Sequence, residues 1–349
     1  MLIQRENPHG GDIYRRRVAH DFSANVSPLG TPRAVTDAVK EAAERLCEYP
    51  DPYCGALREA LARTLHVSAG HIICGNGAAE LIFTFAAACR PQRALIIGPT
   101  FCEYEQALRA AGCQTEYALL HAQDGFALPD WPQERISGYD VVVLCNPNNP
   151  TGRAYPRAQV LRLAEQCAAC GATLLLDECF CDLTDTPQAY SLLPDIERLP
   201  HVFLLKAFTK SFGMAGIRLG YAVCAQEELL HAMCERVQTW NVSTPAQAAG
   251  LAALGCLDFV AQERKLIAAE RTFLTEELAR LRCTVYPAAA NFILFQSELP
   301  LYEGLLERGI LIRRCANFEG LDSTYYRCAV KTRTENTALL RAMEELIHG

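Results

Sequence analysis

No stretch of this chain approaches the roughly 18 to 20 consecutive apolar residues that a membrane-spanning helix requires. The N-terminal run Met1-Leu-Ile-Gln-Arg-Glu-Asn-Pro lacks the apolar centre of a secretory signal. Long runs of like charge are missing too. Forty acidic residues against 33 basic ones give a net charge of -7, which offers nothing to nucleic acid or to an anionic membrane surface. Repeats, low-complexity tracts and long linkers are likewise absent. These absences leave a cytoplasmic globular protein as the expectation. Cysteine, by contrast, is abundant: there are 17, most of them inside apolar runs such as Ile72-Ile-Cys74. The pair Cys167-Ala-Ala-Cys170 has no second pair or histidine cluster beside it, and Cys179 and Cys181 have no metal-like partner either, so no metal site is expected. So many scattered thiols suit a reducing compartment.

The 349 residues suffice for two units with a large apolar core. Between about 72 and 223, short apolar runs alternate with helical patterns. The runs are Ile72-Cys74, Ala94-Ile97, Val141-Cys145, Thr173-Asp177, Val202-Lys206 and Tyr221-Cys224; Ala78-Cys89 and Pro156-Cys170 are helical stretches between them. This pattern predicts an α/β fold whose mainly parallel sheet is covered on both faces. Ligands in such sheets bind beyond the carboxyl ends of the strands. After about 225 the pattern changes to long helical segments, notably 258–282, with strands near 291–295, 310–313 and 325–330 and a last helix over 334–347. The expected division is a large unit over 46–225 and a smaller α+β unit made of 1–45 with 226–349.

The chemistry starts from Ala207-Phe-Thr-Lys-Ser-Phe-Gly-Met-Ala-Gly-Ile-Arg218. Lys210 sits among small and hydroxyl residues and can hold an aldehyde as a Schiff base, while Thr209, Ser211 and Arg218 hold a phosphate. Pyridoxal 5'-phosphate asks a protein for that combination. It also asks for an acid at the pyridine nitrogen, and Asp177, closing the run Thr173-Leu-Leu-Leu-Asp177, either fills that role or caps the next loop. Gly75-Asn-Gly77-Ala78-Ala79 lies between a strand and a helix, where backbone N–H groups form an anion site. Asn146-Pro-Asn-Asn-Pro-Thr-Gly152 follows another strand and places Asn149 to donate to the ring's phenolic oxygen. Aromatics after the strand at 94–97 supply a stacking face, with Phe101 preferred over Tyr104.

Taken in this order, the Asn-Pro-x-Asn-Pro-Thr-Gly run, Asp177-Glu178 and Thr209-Lys210-Ser-Phe-Gly-x-Ala-Gly-x-Arg218 resemble the fold-type I pyridoxal-phosphate enzymes of the aminotransferase class I/II group, over essentially the whole chain. The resemblance implies a seven-stranded, mainly parallel sheet with a smaller α+β domain, and a homodimer with shared active sites. It also implies that Tyr49, in Glu48-Tyr-Pro-Asp-Pro52, reaches the cofactor phosphate of the partner subunit.

His9-Gly-Gly11, Asp21-Phe-Ser-Ala-Asn25 and the stretch Gly309–Leu321 resemble more narrowly the branch of threonine-phosphate decarboxylases and histidinol-phosphate aminotransferases, the former acting in cobalamin-type biosynthesis. In that likeness His9 and Asn25, with Lys331, bind a substrate phosphate. Arg313 and Arg327 bind its other anionic groups, Arg327 the carboxylate. Two arginines on neighbouring strands suit a small, doubly anionic phosphorylated amino acid. Arg314 is the neighbour of Arg313 at which a common acid of the branch is replaced. Phe180 stands where transaminases of the group carry a tyrosine, which leans toward loss of carbon dioxide over transfer of an amino group. The bond that breaks at the α carbon is the one held perpendicular to the pyridine ring, so the anion anchors decide between the two reactions.

Overall fold

The computed structural model describes residues 9–348. Its strands begin with β1 (His20–Asp21), which belongs to a small two-stranded sheet taken up below. The large sheet contains β2 (Ile72–Gly75), β3 (Arg93–Gly98), β4 (Gln114–Leu119), β5 (Val141–Cys145), β6 (Thr173–Asp177), β7 (Val202–Ala207) and β8 (Gly220–Val223). They lie in the order β2-β8-β7-β6-β5-β3-β4, and of these seven only β8 runs against the rest. The central strands are buried along their length because helices cover both faces, as their unbroken Val and Leu runs require. Alternate side chains divide between two apolar clusters: Val142, Leu144, Leu174 and Leu176 enter one, Val141, Val143, Cys145 and Leu175 the other.

The apolar runs mark six of these strands. The seventh, β4, escapes that criterion because Gln-Thr-Glu-Tyr-Ala-Leu alternates polar and apolar residues. Its place at the sheet edge beside β3, half solvated, is the reason.

A second, antiparallel sheet holds β9 (Thr284–Val285), β10 (Phe292–Gln296), β12 (Arg313–Arg314) and β13 (Tyr325–Ala329), in the order β12-β13-β10-β9. The single strand expected over 310–313 is in fact two. β11 (Ile310–Leu311) pairs in parallel with β1, and after Ile312 the chain turns to pair β12 with β13. The segment that follows β1 bridges the two smaller sheets: Phe22 N–H donates to Leu311 O of β11 at 2.7 Å, and Ala329 N–H of β13 donates to Phe22 O at 2.8 Å. Helix Thr244–Leu254 packs on helices Arg33–Ala42 and Gly55–Leu65. Its Ala246, Ala249 and Ala253 join the cluster that contains Leu57, Leu61 and Val142. No single helix among the described residues is long and apolar enough to cross a membrane.

Candidate active site

The carboxyl ends of β2, β3, β5, β6 and β7 open on one edge of the large sheet, and the antiparallel β8 starts there, since Gly75 and Ala207 both face Gly220. At this edge lies a cavity of about 340 Å³. Of the sequence-predicted residues, His9, Asn25, Ala78, Ala79, Phe101, Asn149, Asp177, Thr209, Lys210, Arg218, Arg313 and Arg327 all line it. Gly77, Tyr49 and Lys331 are not part of its lining, Gly77 standing just before the lining residues Ala78 and Ala79.

Lys210 stands in the four-residue helix Phe208–Ser211 that follows β7. Its amine lies 5.4 Å from the centre of the Phe180 ring. Burial lowers its pKa to about 8; the Arg327 and Arg218 guanidinium groups push the same way, while Cys179 and Asp177 oppose. Nearly half of such a lysine is the neutral, nucleophilic amine at pH 8.

Asp177 ends β6 and is 6 % exposed. Its Oδ1 accepts from the Cys179 N–H at 2.8 Å and its Oδ2 from the Tyr104 hydroxyl at 2.6 Å. The backbone bond has the form of a loop cap, yet the carboxylate still lines the cavity. Tyr104, the runner-up as a stacking face, is thereby committed to orienting Asp177. Burial, then the nearby Asp177 charge, drives the Tyr104 pKa well above its usual value and keeps its proton in place as a donor. Phe101 stands edge-on to Tyr104 with ring centres 5.7 Å apart and also lines the cavity.

The three asparagines after β5 divide their work. Asn146 donates to Tyr155 O and Tyr190 O and accepts from Tyr155 N–H at 2.8 Å. Asn148 donates to Pro99 O at 2.8 Å and to Thr151 Oγ1, and accepts from Thr100 Oγ1. Both are buried staples of the loop. Asn149 faces the cavity, its Oδ1 accepting from Arg327 Nη1. That bond turns the amide so that its N–H groups are the donors presented to the cavity.

On the opposite wall, Gly77 has φ +84° and precedes helix Ala78–Cys89. A Cβ at Gly77 would lie 2.6 Å from Arg218 Nη2, so only glycine lets this guanidinium approach the turn. Ala78, Ala79, Thr209 and Arg218 line this part of the cavity, and Ser211 follows Lys210 in the same short helix without joining the lining. Ser211 Oγ is buried without a hydrogen-bond partner among the described residues.

The remaining wall comes from the second sheet and the N-terminal segment. Arg313 and Arg327 sit directly opposite one another on β12 and β13. Arg327 is 5 % exposed and donates to Ser23 O at 2.6 Å as well as to Asn149, yet its Nε has no partner among the described residues. Burial lowers its pKa to about 10, which still leaves it cationic. Arg313 donates to Asn317 Oδ1 at 2.7 Å and lies over the Phe318 ring. Asn25 is buried with its Oδ1 unpartnered among the described residues. His9 Nε2 is 2.8 Å from Glu103 Oε1. Lys331 turns away to Glu335 at 3.3 Å and to the Phe22 ring. Tyr49 is 76 % exposed and stacks on Trp240 at 4.0 Å.

Sequence reasoning missed Ser23, Cys102, Cys145, Cys179, Ala207 and Phe318, which also line the cavity together with Gly10, Ala24 and Ile82. Most are small or sulfur-bearing residues that read as core, and only their places at strand ends signal them. His9, Cys102 and Glu103 also bring a ring nitrogen, a thiol and a carboxylate within 4.8 Å of one another.

A lysine of lowered pKa, a held carboxylate, an amide donor and an anion cup that only a glycine turn leaves open to Arg218 fit pyridoxal 5'-phosphate. The sequence pattern of the aminotransferase class I and II family matches residues 19–343. The chain belongs to that family and is a pyridoxal 5'-phosphate-dependent enzyme of fold type I. It is 37% identical over 341 residues to the threonine-phosphate decarboxylase of Salmonella typhimurium, covering 94% of this chain and 91% of that one. Among solved structures it is similar to the histidinol-phosphate aminotransferase of Clostridium acetobutylicum, with a TM-score of 0.87 and 29% identity over 94% of this chain and 99% of that one. The L-threonine-O-3-phosphate decarboxylase of Porphyromonas gingivalis superposes with a TM-score of 0.83 at 27% identity, over 94% of this chain and 99% of that one.

Proposed function

We propose that this enzyme decarboxylates L-threonine O-3-phosphate or a close phosphorylated amino acid. The observation that carries this reading is the placement of Arg313 opposite Arg327 on the cavity that also contains Lys210. Two guanidinium groups on the cavity that also holds the lysine amine match an amino acid with two anionic groups. The Salmonella relative's name gives the reading its substrate.

Bound pyridoxal 5'-phosphate supplies an electron sink for charge developing at the substrate's α carbon. Lys210 anchors its aldehyde, Asp177 keeps its ring nitrogen protonated, Asn149 donates to its phenolic oxygen and Phe101 stacks on its ring. Gly77, Ala78, Ala79, Thr209 and Arg218 hold its phosphate, with Tyr49 reaching the partner subunit's site in a homodimer. Arg327 takes the substrate carboxylate, while His9, Asn25 and Arg313 take its phosphate. Anchored at both anionic groups, the substrate's carboxylate would be the group set to leave as carbon dioxide, and Lys210 Nζ, once the substrate amine has taken its place at the aldehyde, would be the group that returns a proton to the α carbon. Phe180 offers no hydroxyl in this wall, which suits a site with less need to remove the α hydrogen.

In this reading residues 46–225 form the cofactor-binding unit, and 1–45 with 226–349 form a smaller, substrate-facing unit. A cytoplasmic setting and a role in cobalamin-type biosynthesis follow from the same reading. A second reading, an aminotransferase acting on histidinol phosphate or a related amino acid, is favoured by the likeness to the Clostridium acetobutylicum structure. Mass spectrometry separates the two. The proposal expects 1-aminopropan-2-yl phosphate and carbon dioxide without 2-oxoglutarate. Glutamate formed from 2-oxoglutarate, with no carbon dioxide released, overturns it.

A further inference from the structure

Beside the active cavity lies a second one of about 260 Å³, and the two share His9, Gly10, Ser23 and Arg313. Its outer wall carries Arg15, Arg16 and Arg314, with Asp12 as the carboxylate in the lining. Two of these guanidinium groups converge on a single ring: Arg314 lies 4.2 Å from the centre of Tyr302, and Arg16 lies 5.7 Å from it. Each gains from the π face, but bringing two cations to one phenol costs mutual repulsion. Glu303 pairs with Arg314 at 2.9 Å and offsets part of it. In a chain with a net charge of -7, such a gathering of cations is local and specific. Planar guanidinium forks at the mouth of a cavity are the groups that hold a phosphate by paired hydrogen bonds.

We propose that Arg15, Arg16 and Arg314 form a second, outer site for a phosphate group, opening into the active cavity through Arg313. Its ligand chemistry is that of a phosphate monoester or inorganic phosphate. One source is the substrate's own phosphate on its way inward, and the other is free phosphate that occupies the entrance. Arg314 thus acts outside the substrate anchors, as the outer partner of Arg313.

Inorganic phosphate is the probe, titrated into the cofactor-loaded enzyme by calorimetry. The wild type is expected to bind two phosphates per chain, one at the inner anchors and one outside. The double variant Arg16→Gln/Arg314→Gln is expected to bind one, and Arg16→Lys/Arg314→Lys, which keeps the charges, two. A wild-type count of one overturns the proposal whatever the variants do, as does a count of two that survives the glutamine changes. Kinetics then assigns the source. A KM for phosphothreonine raised about tenfold in the glutamine variant, with the loss falling on KM and not on kcat, means that the substrate passes through the site. An unchanged KM, with the second phosphate still lost, assigns the site to free phosphate. The substrate arm rests on the functional reading above, whereas the phosphate count does not. A wild type that never turns over phosphothreonine sinks that reading and leaves the count standing.

Discussion

At the scale of single residues, the site depends on how a few side chains are held. Tyr104 is a positioning residue, since its hydroxyl fixes Asp177 from below the cavity. Tyr104→Phe is expected to lower kcat by about tenfold, the weight of one buried hydrogen bond to a charged group. The visible absorbance of the bound cofactor should shift with it, because Asp177 then holds the ring nitrogen less firmly. Unchanged kcat and spectrum in this variant refute the role. Lys210 yields a pH prediction. With its pKa lowered to about 8, the neutral amine becomes the major form as pH rises through 8, well below the usual lysine range near 10.4. Capture of pyridoxal 5'-phosphate by the apoprotein, followed by stopped-flow absorbance, should therefore accelerate with a midpoint near pH 8. A midpoint near 10 contradicts it. Lys210, Asp177 and Asn149 were legible in the sequence because each sits at a fixed offset from a strand end. The duty of Tyr104 was not, because its partner lies 73 residues away and an aromatic after a strand reads equally well as a stacking face.

At the scale of elements, the N-terminal segment and the long helix Leu257–Arg280 meet around Glu263. Glu263 is fully buried, and neither carboxyl oxygen has a hydrogen-bond partner among the described residues. Burial raises its pKa from 4.5 to about 8, with Ser27 pulling weakly the other way. Between those values the folded chain keeps a proton that the unfolded chain releases, so this group's contribution to stability falls as pH rises from about 4.5 to 8. Glu263→Gln should thus gain roughly 1–3 kcal/mol at pH 8.5 and little at pH 5, read from chemical denaturation at both. An equal effect at the two pH values contradicts the assignment. A second test lies at Gly10, where a Cβ would fall 2.2 Å from Ser23 O. Gly10→Ala should displace the segment that carries His9 and raise KM with a smaller change in kcat. The central strands were readable from their unbroken apolar runs. β4, β1 and the break at Ile312 were not, since an edge strand and two-residue strands owe their existence to partners far along the chain.

At the scale of the whole molecule, the family's motifs in order made the class of fold and the cofactor readable. The convergence of Arg313, Arg327 and Asn25 was only partly so, because it depends on the second sheet docking against the first. Lys331 illustrates the gap: its neighbour Glu335, one helical turn on, draws it out of the lining. The exposed aromatic group of Tyr49, Tyr53 and Trp240 is an apolar surface that a second subunit would cover. Light scattering is expected to give about twice the 38.5 kDa chain mass, and Tyr49→Phe to weaken retention of the cofactor. A fully active monomer contradicts the shared site.

The central claim is that the carboxylate leaves while the α hydrogen stays. The most direct measurement is turnover of α-deuterated L-threonine O-3-phosphate in ordinary water, with the product examined by mass spectrometry and proton NMR. Decarboxylation replaces the carboxylate with a solvent proton and keeps the label, so 1-aminopropan-2-yl phosphate should carry one deuterium at the amine-bearing carbon. Loss of the deuterium, with an oxo acid formed and no carbon dioxide, contradicts the account and marks the enzyme as a transaminase.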